Sequence, residues 1–410
     1  MSTLLLATLA DEGKLRWDQP VTQIYPGFRL GNDDVTRQVL VKHLVCACTG
    51  LPRQDLEWLF EYAKATPETS IKQLATNSPT SGFGEVFQYN NLMASAAGYI
   101  GGHLVYPDLP LGAAYDKAMQ TRIFDPLGMK ETTFDMARAL KSNHASPHST
   151  DLDNKTRVLP MLMNYSVVPH RPAGGVWTSA HDLIRYVQLE ANQGALPDGK
   201  RVVSAENLLM RRTTQVSAGE DRNYGMGLFN ETAWGVPVVY HGGSLFGYKS
   251  NVYLLPEAGV GAVLLTNSDN GQMLLRPFMR RLMELVYDGK PEAAEDVKVA
   301  AAREAAAIAS ERPRLQLPAD SAAAAQLARR YANPELGTLD VQHAGKDLVF
   351  DLGEWKSPIA TRKNDDGSVS FVTERPGFNG FEFVAAKRDG KRILIARDGQ
   401  HEYAFVEQGK

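Results

Sequence analysis

The stretch Val236-Pro-Val-Val-Tyr240-His241-Gly242-Gly243-Ser244, with Lys249-Ser-Asn-Val-Tyr-Leu-Leu255 and Gly261-Ala-Val-Leu-Leu-Thr266 after it, decides the fold class. Each run is short, β-branched or aromatic, and bounded by turn residues, which predicts three successive strands. Pro237 has no ladder donor, so the first strand starts on an edge or at a strand end. The third is apolar enough for a central strand covered on both faces. Met273 to Tyr287 returns to helical spacing and is expected to lie across that sheet.

Upstream, residues 1 to about 287 alternate helical and strand-like segments with Gly/Pro turns. Leu92–Leu104 is small and apolar, and Ser179 is placed to cap a helix with Leu183, Val187 and Leu189 on its inner stripe. The opening helix, with Leu4, Leu5, Leu6, Ala7 and Leu9, is apolar nearly all round and belongs in the middle of a domain. At residue 1 its covering layers must come from elsewhere, so some of these leucines are expected to meet water.

Downstream, Pro291–Ser310 is Ala-, Glu- and Lys-rich before Pro313 and Pro318 interrupt it, and residues 288–319 read as an exposed helical linker. A short helix is expected over Ser321–Tyr331. Strand-sized runs then recur at Thr338–His343, Leu348–Leu352, Ser368–Thr373, Phe381–Ala386, Arg392–Ala396 and Glu402–Val406. The expected architecture is an α/β (α+β) domain with a central antiparallel sheet over 1–287, and a small antiparallel β-barrel over 320–410.

Composition narrows the class. The 410 residues are 43% hydrophobic and 22% charged, with 44 basic against 47 acidic side chains. That balance argues against a nucleic-acid partner, and no apolar run reaches the roughly 18 residues of a membrane span. The start lacks a basic n-region, and Asp11-Glu12 follow a short apolar core, so it does not read as a signal peptide. Cys46 and Cys48 are one residue apart, where ring strain disfavours a mutual bridge, so two buried free thiols are expected. No metal or phosphate motif is present. Pro147 breaks the His144/His148 spacing, and no cofactor is implied.

Three patterns carry chemistry together. The first is Phe87-Gln-Tyr89-Asn90-Asn91 before the small-residue helix. The second is His170-Arg-Pro-Ala-Gly174-Gly175 with Val176 to Leu183. The third is His241-Gly242-Gly243-Ser244. Thr49-Gly50-Leu51-Pro52 and Asp125-Pro-Leu-Gly128 accompany them. In this order they resemble the serine β-lactamase/penicillin-binding-protein-like family, in its class C β-lactamase, D-aminopeptidase and esterase branch. The resemblance covers residues 1 to about 287; the β-rich tail resembles a lipocalin-like domain.

The resemblance implies a Ser-x-x-Lys nucleophile and base, a Tyr-x-Asn loop and a third motif on an edge strand. A serine hydroxyl needs a neighbour to take its proton. Tyr89 is then the general base or proton shuttle, and Asn91 orients the substrate carbonyl or the lysine. His241 stands in for the third-motif lysine. Gly242 and Gly243 let substrate approach, and the Ser244 N–H lines the oxyanion hole. A neutral histidine at His241 favours esterase or D-amino-acid peptidase/amidase activity over a β-lactamase. The partner implied is a small-molecule or peptide substrate; oligomeric state is left open.

One departure is decisive: the sequence contains no Ser-x-x-Lys. By resemblance the motif is expected immediately upstream of Met1, so the chain is expected to begin inside the domain and to be inactive. A late-assigned start codon, a deliberately shortened chain and a pseudoenzyme are the three origins, and the closeness of Met1 favours the first. Periplasmic or secreted location is expected if such a segment exists. Gly242-Gly-Ser244-Leu-Phe-Gly247 has one residue too many for a nucleophile elbow. The rival reading is a non-catalytic protein that keeps the cleft to hold peptide ligands.

Overall fold

The computed structural model describes residues 1–60 and 62–409. Its main helices are α1 (Ser2–Asp11), α2 (Leu56–Phe60), α3 (Asn91–Val105), α4 (Leu111–Met119), α5 (Ala180–Ala191), α6 (Ala205–Met210), α7 (Gln272–Val286) and α8 (Ala293–Glu311). Ser179 caps α5 by accepting from the Asp182 N–H, as its sequence position predicts.

The opening helix corrects one expectation. Leu4, Leu5, Leu6 and Leu9 are all essentially inaccessible to water. The cover comes from α3, α4 and α6. A β-carbon at Gly101 of α3 would lie 3.0 Å from Leu6, so the small residues of α3 are what let α1 seat against it. Each buried leucine contributes about 1.5–3 kcal/mol, so α1 stabilises the domain.

The sheet of this domain is a six-stranded antiparallel meander: β1 (Val216–Ser217), β2 (Arg222–Tyr224), β3 (Phe229–Ala233), β4 (Val236–Leu245), β5 (Tyr248–Leu255) and β6 (Val260–Thr266). The three strands expected from sequence are β4, β5 and β6. Pro237 sits at the beginning of β4, opposite Thr232, in keeping with a strand end. Strand β6 lies at the sheet edge rather than its centre. Its apolar composition reflects cover from α5 and α7 on its faces, not neighbours on both sides.

Cys46 and Cys48 are bonded to each other, contrary to the expectation of free thiols. Ala47 adopts φ 50°, in the left-handed region, and this tight turn brings the two Cα atoms within 5.1 Å.

After the largely exposed α8, β7 (Leu315–Gln316) leads into eight strands: β8 (Arg330–Asn333), β9 (Gly337–Ala344), β10 (Asp347–Asp351), β11 (Lys356–Lys363), β12 (Val369–Thr373), β13 (Glu382–Arg388), β14 (Lys391–Arg397) and β15 (Glu402–Glu407). Each pairs antiparallel with the next, and β15 returns to β8, closing a barrel. The helix expected over Ser321–Tyr331 is shorter, Ser321–Ala324, because Arg330 onward joins the barrel. Strand β11 was not foreseen: Pro358 argues against a strand, yet it sits within the ladder opposite Val349. Phe350, Phe371, Phe383, Phe405, Trp355 and Tyr403 fill the interior, so this is a packed core.

That core is shared. Leu56, Leu59 and Phe60 of α2 belong to the same buried cluster, and Phe60 meets Trp355 edge-on at 5.5 Å. Beside it, the Tyr403 hydroxyl donates to Glu57 Oε1 at 3.1 Å. Burial pushes the Glu57 carboxyl up to about 7, aided by Glu335 and Asp398 and opposed by its hydrogen bonds. A carboxyl raised in the folded state favours folding at low pH and loses that advantage as pH rises to its folded value. The melting temperature of the native chain should therefore gain relative to Glu57→Gln as pH drops from about 7 toward the ordinary carboxylate range. Parallel thermal melts at pH 5, 6, 7 and 8 check this; a constant difference between the two proteins would refute it.

Candidate functional site

The cleft is built where α3 begins. Asn90 caps α3 by accepting from the Met93 N–H at 2.9 Å, and its amide donates to the Pro52 carbonyl at 2.8 Å. These bonds fix the loop that carries Tyr89 on one side and Asn91 on the other. The Gln88 N–H donates to the Ala47 carbonyl at 2.8 Å, tying the same loop to the disulfide turn. Asn91 Nδ2 donates to both Asp55 oxygens, at 3.0 and 3.2 Å. Arg53, paired with Asp55, lies over the Tyr89 ring, 5.4 Å from its centroid.

Strand β4 forms the facing wall. It pairs with β3 only through Tyr240, whereas its pairing with β5 continues to Leu245. From His241 onward one edge of β4 is thus unpaired among the described residues, leaving backbone donors available at the cleft. His241 Nε2 lies 3.2 Å from the Tyr224 hydroxyl, inside a ring of Tyr89, Tyr224 and Phe229. Burial lowers the His241 imidazole to about 4, so it is neutral at pH 7. The Tyr89 phenol is raised, chiefly by burial; the Arg53 charge opposes this and Asp55 adds to it. The phenol needs further positive charge nearby before it is useful as a base.

Ser244 is not poised as a nucleophile. Its hydroxyl accepts from Lys249 Nζ at 2.8 Å, and that ammonium is also paired with Asp269 at 2.6 Å. In both bonds the lysine is the donor, so it offers the serine hydroxyl no acceptor for its proton. Gly243 has a packing reason as well: a β-carbon there would lie 2.5 Å from Ser250 Oγ. Tyr89, Asn91, His241, Gly242, Gly243 and Ser244 all line one cleft of about 1280 Å³. Among the described residues no cluster of His, Cys, Asp and Glu is arranged to hold a metal ion.

Sequence reasoning missed four members of this site. Arg53 and Asp55 follow the quoted Thr49–Pro52 turn directly, so that turn was their signal. Tyr224 sits opposite Phe229 in the β2–β3 pairing, and only that register brings its hydroxyl to His241. Lys249 faces Ser244 in the β4–β5 register, legible only once the hairpin is closed.

The chain resembles proteins of known fold and name. It is 28% identical over 309 residues to penicillin-binding protein 4 of Amycolatopsis lactamdurans, covering 70% of this chain and 75% of that protein. It is 22% identical to protein flp of Staphylococcus aureus, of which it spans half. Among solved structures, the octameric penicillin-binding protein homologue from Pyrococcus abyssi superposes with a TM-score of 0.59 at 19% identity, over 99% of this chain and 86% of that one. A D-stereospecific amidohydrolase from Streptomyces sp. gives 0.54 at 21% identity, over 70% and 84% of the two chains. At these identities the two structures speak for the fold. The profile of the family described as Beta-lactamase matches residues 1–282, more than half the chain, and the protein belongs to that family.

Proposed function

We propose that this protein is a serine hydrolase of the β-lactamase-related type, cleaving an amide or ester through an acyl-enzyme. The observation that carries the reading is the convergence of Tyr89, Asn91 and the unpaired edge of β4 on one cleft. Tyr89 serves as proton shuttle, Asn91 positions the substrate, and the Ser244 N–H stabilises the developing oxyanion. The Ser-x-x-Lys that supplies nucleophile and cation is absent from the 410 residues. The neutral His241 gives no fixed cation for a substrate carboxylate, which favours an esterase or D-amino-acid peptidase over a β-lactamase. The Cys46–Cys48 bond favours an oxidising, extracytoplasmic setting. The likeness of the tail to lipocalins rests on its eight-stranded closure alone.

The test compares the 410-residue chain with a version carrying an added N-terminal segment that contains Ser-x-x-Lys, on p-nitrophenyl esters, D-amino-acid anilides and nitrocefin. The extended protein should turn over an ester or anilide, and the 410-residue chain should show negligible turnover. Tyr89→Phe in the extended protein should lower kcat by about 10²–10⁴. Ordinary turnover by the 410-residue chain would refute the missing nucleophile. The absence of Ser-x-x-Lys from the 410 residues favours a second reading, a non-catalytic ligand-binding protein, and a folded, extended, inert protein would shift the reading to it.

A further inference from the structure

The turn between β14 and β15 of the barrel, Asp398-Gly-Gln-His401, reaches the wall of the cleft that carries Tyr89. Gln400 Oε1 accepts from the Arg53 N–H at 2.6 Å and from Gln88 Nε2 at 3.3 Å. A backbone N–H only donates, so the atom of Gln400 that faces Arg53 must be the oxygen. One barrel oxygen thus holds two segments of the first domain, one leading into Asp55 and the other into Tyr89.

The candidate site lies directly beyond those two segments. Arg53 lays its guanidinium over the Tyr89 ring, and its Nε donates to Asp55. The Asp55 carboxylate accepts from Asn91 Nδ2 through both oxygens. Gln88 is the residue before Tyr89. A shift of the Arg53 backbone therefore moves the cation at Tyr89 and the carboxylate that orients Asn91 together.

The turn has a fixed base from which to hold them. Asp398 Oδ1 accepts from the Gln400 and His401 N–H groups, each at 2.7 Å, which closes the tip. The barrel beneath it is seated on the first domain at two other places. One is Phe60; the other is Phe246, at the β4–β5 turn, whose ring packs against the barrel core with Phe378 6.4 Å away. Phe246 ends the opposite wall of the cleft. The barrel bears on both walls, and the Gln400 contact is the one that leads to Tyr89 and Asn91.

We propose that Gln400 is a positioning residue for the candidate site: from the barrel it fixes the Arg53 backbone, and through it the placement of the Tyr89 ring and the Asn91 amide. The barrel is then part of the framework of the site rather than a module carried beside it. This rests on the cleft being the substrate site, as proposed above, but not on hydrolysis taking place there.

The test uses the 410-residue chain in its native form and as Gln400→Met and Gln400→Glu, each with 3-fluorotyrosine at position 89 alone. Methionine keeps the length of the side chain and loses the oxygen, whereas glutamate keeps both. Gln400 is exposed, so neither change empties a core. In Gln400→Met the Arg53 amide should exchange with deuterium about tenfold faster, as expected when one hydrogen bond is lost. The fluorine resonance at position 89 should shift in the same variant. Both readouts should return toward native values in Gln400→Glu, with barrel amides as protected as in the native chain throughout. Unchanged exchange and an unmoved resonance in Gln400→Met would mean that water replaces the Gln400 oxygen, and would overturn the proposal. So would an equal change in Gln400→Glu, or a comparable loss of protection across the barrel. Neither readout needs turnover, so the hydrolase reading can fail while this one stands, and the reverse.

Discussion

Replacing Glu190 with glutamine should destabilise the first domain by about 3–5 kcal/mol, the usual cost of stranding a buried charge. Arg211 is fully buried and its guanidinium bonds the Glu190 carboxylate. Arg212 reaches the second carboxylate oxygen at 3.0 Å, and Arg211 Nη1 donates to Thr3 Oγ1 at 3.3 Å. The group therefore ties α5 and the end of α6 to α1. Burial alone would raise the Glu190 carboxyl; the charges of Arg211 and Arg212 outweigh it and hold the group below its ordinary range. A carboxyl depressed in the folded state stabilises it at neutral pH and loses that contribution as pH falls through the folded value. Urea unfolding at pH 7 should show the full loss in Glu190→Gln. At acid pH the gap between variant and native chain should narrow. A loss under 1 kcal/mol at pH 7 would mean that the arginines find other partners or water.

Phe60→Ala should produce the second large effect, about 3–5 kcal/mol for a buried phenylalanine. Phe60 is 1% exposed, and besides Trp355 it touches Phe381 and Phe405, with centroids 6.3 and 6.1 Å away. These partners all belong to the barrel, whereas Phe60 belongs to the first domain. The substitution should lower barrel stability without touching a barrel residue and split unfolding into two calorimetric transitions. For the same reason the barrel expressed alone should fold but melt below its temperature in the intact chain. An unchanged barrel transition in Phe60→Ala would show that α2 merely rests on the barrel.

How much of this was legible beforehand varied with the range of the interaction involved. Strands β4 and β5 were readable because β-branched residues and turn glycines are local signals. The β-rich tail was readable for the same reason, but β11 was not, since Pro358 reads as a breaker and only its place in the ladder permits it. The position of β6 at the sheet edge was hidden: cover by helices and cover by strands select the same apolar residues. The burial of α1 was misjudged because its cover comes from α3, α4 and α6, far along the chain. Tyr89, Asn91 and His241 stood out as an ordered set of motifs. Asp55 and Lys249 did not, because each matters only through one side chain brought to it by folding. The Cys46–Cys48 bond was missed because the positive φ of Ala47 belongs to the turn and cannot be read from an alanine.

The connectivity of the barrel has a kinetic consequence. Every strand from β8 to β15 pairs with its successor, and distant residues meet where β15 closes on β8 and where β7 pairs with β11. Local contacts form quickly, because little loop-closure entropy is lost before each pairing is made. The cleft is the opposite case: the Arg53–Asn91 wall and the His241–Ser244 wall are far apart in sequence and meet only when the first domain is nearly complete. During synthesis the barrel is made after the first domain and is the quicker of the two to zip. The slower first domain is left to present α2 to a barrel that has already closed, and docking of Phe60 becomes a late step that reports the completion of both.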